Sequence, residues 1–357
     1  MDLVTLDTNL DPIAIVDSYS SIIWTDRYFK YGDFELYMAV NEVVLSTVKC
    51  DYYLTNPESE HVMIVDGVHI DSDSENGDYV TITGKSLESI LERRIIWGRK
   101  VVSGTPQKVI KDLLDDCIIN PSDSKRKISN FVFEESTDPV ITGLPPFDAQ
   151  YTGDNLYDVI EAICNDNQIG FKITLNDSKQ FVFKLYAGVD RSYNQTANSF
   201  VVFSPSFDNL LNANYMENRS ALKTVALVAG EGEGSDRQYT TVEGSSETGI
   251  YRRELFVDAR DISSDPGEDG GSTLTTEEYT AQMNQRGKEK LSECVDVSSF
   301  EGQAETRIMY KYGEDFFTGD IVQFADSYGH EAPARIVEMI TSDNEEGLSV
   351  YPTFETI

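Results

Sequence analysis

From Pro12 to about Arg94 the pattern of apolar and polar positions reads as strands broken by short turns. Phe34, Leu36 and Met38 alternate with Glu35, Tyr37 and Ala39, the period of a strand with one buried face. Val62 and Ile64, then His69 and Ile70, flank an Asp66-Gly67 pair, a dipeptide that favours the tight corner of a β-hairpin. Tyr79 to Thr83 makes a further strand, and Ser86-Leu87-Glu88-Ser89-Ile90-Leu91 after Gly84 reads as a short capped helix. Residues 1–97 are thus expected to form an antiparallel barrel or sandwich closed by a small helix.

After Gly104 the period lengthens. Thr105 can cap a helix, Pro106 suits its first turn because a proline lacks only an N–H that would be unpaired there, and Val109, Ile110, Leu113, Leu114 and Cys117 share one face. A second helix is predicted from Asp154, with Leu156, Val159, Ile160, Ile163 and Cys164 on a buried stripe, stopped by Gly170. Phe171, Ile173 and Leu175, the turn Asn176-Asp177-Ser178, and Phe181, Phe183 and Leu185 then spell a hairpin covering the helices. Pro121 to Lys127 and Pro139 to Pro146 read as surface loops. Residues 98–195 form an α+β unit on this reading.

Strands resume at Phe200 to Phe203 and at Leu222 to Val228. The second run is apolar on both faces, which marks a central strand. From Glu231 to Glu278 the chain is acidic and rich in loop residues, with Ser263 to Ser272 as its most flexible stretch. Thr275 and Glu278 then make a capping box for a helix carrying Tyr279, Met283 and Leu291 on one side. Ile308 and Tyr310, Ile321 to Phe324, Ala334 to Ile340 and Leu348 to Phe354 are short strands. The expected fold is α+β and mainly β: two β units, at 1–97 and at 196–230 with 300–357, the second able to close as a barrel, an inserted α+β domain at 98–195, and a smaller acidic loop and helix insertion at 231–299.

With 40% hydrophobic and 11% aromatic residues in 357, the chain can bury enough surface to be globular. Its 62 Asp and Glu against 29 Lys and Arg leave a net charge of −33. That excess disfavours tight binding to nucleic acid or to anionic membranes, both of which rest on Lys and Arg. An acidic wall suits a passage through which DNA must move without sticking, and a solubilising surface is its plainer use. The opening residues carry no basic segment ahead of an apolar run, and no stretch approaches the roughly 20 apolar residues that span a bilayer; neither signal-peptide export nor membrane insertion is expected. Cys50, Cys117, Cys164 and Cys294 form no close pair and are expected to be buried, reduced thiols, so the sequons at Asn194 and Asn218 carry little weight.

Candidate chemistry is thin. A zinc site needs imidazoles or thiolates at close spacing, and His61, His69 and His330 are the only histidines. His61 and His69 could face each other across one hairpin, although an ordinary, partly exposed strand pair is the plainer expectation. Gly244-Ser245-Ser246 lacks the second glycine of a nucleophile elbow. Gly230-Glu231-Gly232-Glu233-Gly234 has acids between its glycines and no Lys-Ser/Thr after them, so it reads as a turn leaving a strand rather than a phosphate loop. Asp258 and Asp261 about Arg260 are expected to form a structural ion-pair cluster, and the 265–271 loop departs from the ligand order of a calcium loop. No catalytic, cofactor-binding or metal-ligating residue is assigned.

Several phrases nevertheless occur in a fixed order: Arg27-Tyr28 with Gly32-Asp33-Phe34-Glu35-Leu36; Thr83-Gly84-Lys85-Ser86-Leu87 leading to Arg93-Arg94; Gly188-Val189-Asp190-Arg191-Ser192; Arg252 to Ile262 (RRELFVDARDI); and Tyr312-Gly313-Glu314-Asp315 with Gly319-Asp320-Ile321-Val322. Together, over about residues 13 to 354, they resemble the baseplate hub family of long-tailed bacteriophages, the N-terminal module of tail-associated (Tal) proteins. The glycines would permit tight turns, and the Arg/Asp alternation of RRELFVDARDI would hold a strand by ion pairs. The resemblance implies two tail-tube-like barrels and two accessory domains per chain, and three chains closing a pseudo-sixfold ring. Such a ring continues the tail tube beneath the distal tail protein, holds the end of the tape-measure protein, and opens for DNA passage into the host.

The implied protein is a structural, non-enzymatic component of the virion tail tip, made in the host cytoplasm. Its partners would be its own copies as a homotrimer, the distal tail and tape-measure proteins, fibre or receptor-binding proteins, and DNA only in transit. Many relatives extend into a fibre or wall-degrading domain, and with this sequence ending at Ile357 those tasks are expected to fall to another chain. The rival expectations are a hydrolase of cell-wall glycan or peptide and a receptor-binding adhesin.

Overall fold

The computed structural model describes residues 1–73, 77–265, 273–295, 297–304, 309–329 and 331–357. The first β unit comprises β1 (Leu3–Leu6), β2 (Pro12–Val16), β3 (Ser21–Arg27), β4 (Asp33–Ala39), helix α1 (Glu42–Thr47), β5 (Tyr53–Thr55), β6 (Val62–Asp73) and β7 (Gly77–Ser86). The alternation on β4 holds: Phe34, Leu36 and Met38 are buried, opposite Ile22 and Trp24 of β3 and Val80 and Ile82 of β7. Each such side chain contributes about 1.5–3 kcal/mol by leaving water.

Asp66-Gly67 is not a hairpin corner. β6 runs straight through it, because β7 is long enough to pair with both halves, Met63 with Ser86 at one end and Asp73 with Gly77 at the other. Asp66 becomes the extra residue of a β-bulge. A β-carbon on Gly67 would lie 2.7 Å from the Thr83 hydroxyl, which explains the glycine without any turn. The connection to β7 runs through residues 74–76, outside the described ones. The segment after β7 is a 3-10 turn, Leu87–Arg93, and Ser86 does not cap it; the Ser86 hydroxyl accepts from the Gly32 amide at 2.8 Å instead.

The α+β unit holds β8 (Arg99–Gly104), α2 (Pro106–Leu114), β9 (Phe131–Glu134), α3 (Pro139–Thr142), β10 (Phe147–Thr152), α4 (Leu156–Asp166), β11 (Gly170–Leu175) and β12 (Phe181–Tyr186). Thr105 caps α2, and every apolar residue predicted on the two main helices is buried. Asn155 rather than Asp154 opens α4, and Gly170 begins β11 rather than ending the helix. The predicted loop at Pro139 contains α3 because Asp138 caps it, accepting from the Val140 amide.

The remainder comprises β13 (Val202–Phe203), β14 (Leu210–Asn218), β15 (Val225–Ala229), β16 (Tyr239–Glu243), β17 (Glu254–Asp258), α5 (Thr276–Ser292), β18 (Val297–Ala304), β19 (Ile321–Ala325), β20 (Glu331–Asn344) and β21 (Gly347–Thr356). β15 is a central strand as its two-faced apolarity predicts, but not in the second β unit. It lies between β16 and β17 in a separate three-stranded sheet. The acidic stretch expected to be loops supplies both of those strands. Tyr279, Met283 and Leu291 of α5 pack on this sheet, and the capping box at Thr275 and Glu278 is formed. A β-carbon on Gly287 would sit 2.6 Å from Val242, so the glycine lets helix and sheet approach closely. Ile308 and residues 266–272, including most of the 265–271 loop, lie outside the described residues.

Of the expected fold, its mainly β character is present, while the described residues show no pair of closed barrels. Both β units belong to one sheet, ordered β14-β18-β21-β20-β3-β4-β7-β6-β5-β1-β2, with β13 and β19 joined to β20. Among the described residues this path is open, with no closed barrel. β20 is 14 residues long and outruns the second core; past an irregularity at Val337 its far half, Glu338 to Asn344, pairs with Arg27 to Ser21 of β3. The sheet therefore carries two hydrophobic cores, one centred on Trp24 and Leu36 and one on Phe203, Phe324 and Phe354.

Candidate functional site at the junction of the units

Residues from four of the five ordered phrases converge where the two β units and the α+β unit meet, whereas Arg252 to Ile262 lies apart in the sheet of β15, β16 and β17. Gly32 and Gly84 are backbone-contact positions: a β-carbon would lie 2.0 Å from the Thr25 carbonyl oxygen in one case and 1.9 Å from that of Ile64 in the other. Arg27, at the end of β3, reaches Asp33 at 2.5 Å and Glu338 of β20 at 2.6 Å. It thereby ties the first strand pair to the strand that crosses between the cores.

Tyr28 is fully buried among all three units. Gly170 of β11 and Gly319 lie against its ring, where β-carbons would approach to 2.4 and 2.3 Å. Tyr186 meets it edge-on at 5.2 Å, and the Arg335 guanidinium of β20 lies 5.1 Å from its centroid, a cation over an aromatic face. The Tyr28 hydroxyl accepts from the Gly188 amide at 3.3 Å. Burial pushes its phenol pKa up.

Asp320 fastens the chain where it passes from the α+β unit into the second β unit. It is 2% exposed and accepts from the Val189 amide and Arg191 Nε, both at 2.7 Å, and from the Phe317 amide at 3.1 Å. Backbone bonds from Ile321 to Val189 and from Arg191 to Ile321 complete a zipper between the Gly188 and Gly319 phrases.

A second buried acid, Asp26, accepts from Trp24 Nε1 at 3.1 Å, the Ser59 hydroxyl at 3.2 Å and the Tyr312 hydroxyl at 3.1 Å. A cleft of about 450 Å³ opens beside it, lined by Asp26, His61, Lys172, Tyr186, Tyr312 and Asp320. Ser59 donates to a carboxylate rather than to an imidazole, and His61 faces Glu88 at 3.3 Å. The hydroxyl and the imidazole are thus engaged in holding segments together, and neither activates the other.

The singled-out residues fall as follows. His61 is buried, against the expectation of partial exposure, while His69 is exposed beside Asp71 at 3.1 Å. They do not face each other, because His61 immediately precedes the strand on which His69 lies. His330 is outside the described residues. The glycine run turns the chain out of β15, with Gly232 and Gly234 at φ of 95° and 58°, and Glu231 accepts from the Ser264 amide. Asp258 pairs with Arg260 and Arg237, each at 2.6 Å, and Asp261 with Arg286 at 3.0 Å. The Arg260 hydrogen bond is the largest cause holding Asp258 down to about 2. Cys117 and Cys164 are buried as expected, but Cys50 is exposed and Cys294 half-buried; all four are free thiols. Glu88, Asp26 and Arg335 had no local signal: a single acid or arginine within a strand or turn looks like any solvated charge.

The sequence model of the Siphovirus ReqiPepy6 Gp37-like protein family matches residues 3–354. No curated protein matches the chain. Among solved structures, the prophage tail protein gp18 of Listeria monocytogenes aligns with a TM-score of 0.55 at 13% identity, covering 99% of this chain and 94% of that one. The 43 kDa tail protein of prophage MuSo2 from Shewanella oneidensis aligns with a TM-score of 0.57 at 13% identity, covering 99% and 98%. A tail protein from Neisseria meningitidis gives 0.57 at 11% identity, covering 99% and 96%. At these identities the likeness is one of fold.

Proposed function

The chain belongs to the Siphovirus ReqiPepy6 Gp37-like family, and from that premise we propose that it is a structural hub of a phage tail tip. Three copies would close a ring that continues the tail tube beneath the distal tail protein, holds the end of the tape-measure protein, and opens for DNA. Fibre or receptor-binding proteins would attach around it. The observation that carries this reading is the shared sheet: two β cores per chain joined through β20 and β3 would give six quasi-equivalent repeats in a trimer. The pinning of the two β units and the α+β unit at Tyr28 and Asp320 supports a mechanical role, since a ring element must transmit load between its parts. The net charge of −33 favours passage of DNA without adhesion.

Negative-stain images of the concentrated protein, alone and with the distal tail protein, are the test. Threefold rings with a central opening are expected. A species that light scattering finds monomeric in both conditions would overturn the proposal.

A further inference from the structure

The first β unit and the α+β unit seal one charged pair between them. Glu88 lies in the 3-10 turn Leu87–Arg93 after β7 and is 0% exposed. Its Oε1 accepts from the Ile173 amide of β11 at 2.7 Å, across the seam, and lies 3.3 Å from His61 Nδ1. Its Oε2 has no hydrogen-bond donor among the described residues. His61, 8% exposed, comes from the segment ahead of β6, and its amide donates to the Ser59 hydroxyl that in turn donates to Asp26.

The other charged or titratable groups lining the cleft around His61 are Asp26 on β3, Glu58 and Glu60 on its own segment, Lys172 on β11, Tyr186 on β12, and Tyr312 and Asp320 from the loop ahead of β19. Lys172 is engaged by Glu60 and lies 4.8 Å from the centre of the Tyr186 ring. Among the described residues the cation facing Glu88 is therefore His61, and only while it is protonated. A buried carboxylate that loses its counter-charge is strongly disfavoured, so the proton on His61 and the closure of the seam are thermodynamically linked.

We propose that this seam is a proton-held latch. The His61 imidazolium keeps Glu88 ionised and bound to the Ile173 amide, and loss of that one proton loosens β11 against the Leu87–Arg93 turn within the hydrophobic core that the two share. Burial alone would lower the proton affinity of His61, but Glu88 and then Asp26 more than reverse this and raise its pKa from 6.5 to about 9. The stabilisation is fully present below about 6.5 and lost as pH rises through about 9. For Glu88, burial raises the pKa, but the neighbouring His61 charge and the Ile173 amide help to lower it overall, so its contribution is lost only as pH falls through that depressed value. The latch is closed across the neutral range.

The chain has three histidines, so the His61 ring resonances can be assigned by substituting each in turn and its titration followed in the intact protein. Titration near pH 9 is expected. Hydrogen exchange, corrected for the intrinsic pH dependence, should show the β11 segment exchanging about tenfold faster or more at pH 10 than at pH 7, with α5 and β21 changing far less. His61→Arg should abolish that pH dependence, and Glu88→Gln should leave β11 fast at every pH. A wild-type His61 that titrates near 6.5, or β11 protection that is constant within about twofold from pH 7 to pH 10, overturns the latch; both are read on the unaltered chain, whatever the variants do.

Discussion

A side chain on Gly188 would place its first carbon 1.7 Å from the carbonyl oxygen of Gly319. Two backbones touch there, at the point where the segment that follows β12 out of the α+β unit crosses the loop that enters β19. Gly188→Ala must force them apart and pull the Val189 amide off Asp320. We expect a loss of about 3 kcal/mol in denaturant-monitored stability, with the secondary structure seen by circular dichroism retained below the transition.

Removing the acid itself should cost more. Asp320 serves Val189, Arg191 and Phe317 at once from a buried position, and Asp320→Ala leaves the Arg191 guanidinium, 17% exposed, without its partner. A destabilisation of about 3–5 kcal/mol follows, again read from chemical denaturation. An equal stability for wild type and variant would show that the zipper contributes nothing.

Glu289 should behave in the opposite way. It is 4% exposed on α5 and receives hydrogen bonds from Tyr151 at 2.8 Å and Gln285 at 3.2 Å, yet burial pushes its pKa up. A carboxyl with a raised folded-state pKa favours folding at low pH and loses that contribution as pH rises through the raised value. Glu289→Gln keeps an acceptor for Tyr151 and removes the buried charge. Its melting temperature should exceed that of wild type at pH 8, and the advantage should shrink at pH 5.

The four thiols should separate by access. Cys50 is exposed, Cys294 half-buried, and Cys117 and Cys164 are buried with thiol pKa values pushed up by desolvation. A disulfide reagent applied to the native protein should modify Cys50 first, Cys294 more slowly, and the other two only on unfolding. Rapid reaction at Cys164 in the native state would contradict the packing of α4.

Much of the local structure was legible because it obeys short-range periods. The i, i+3, i+4 spacing from Val109 to Cys117 and from Leu156 to Cys164, the alternation on β4, and the box at Thr275 and Glu278 each report their surroundings within a few residues. Asp66-Gly67 misled because the same dipeptide serves a turn or a bulge, and the choice lay with β7, whose length lets it pair on both sides. The junction was half legible: Gly188, Gly319 and Asp320 stood in recognisable phrases, whereas Arg335, Glu88 and the buried state of His61 left no pattern.

By itself, the amino-acid order determined the helices, most strands, the acidic character and the family to which the chain belongs, since all of these are local or cumulative properties. Only the tertiary structure decided that the two β units share a sheet and that β15 serves a different one. Arg27 and Glu338 are separated by 311 positions, and the pairing of their strands is set by which edge stays unfilled once each core is packed. That is a property of the assembled surfaces, and no local stretch of sequence contains it.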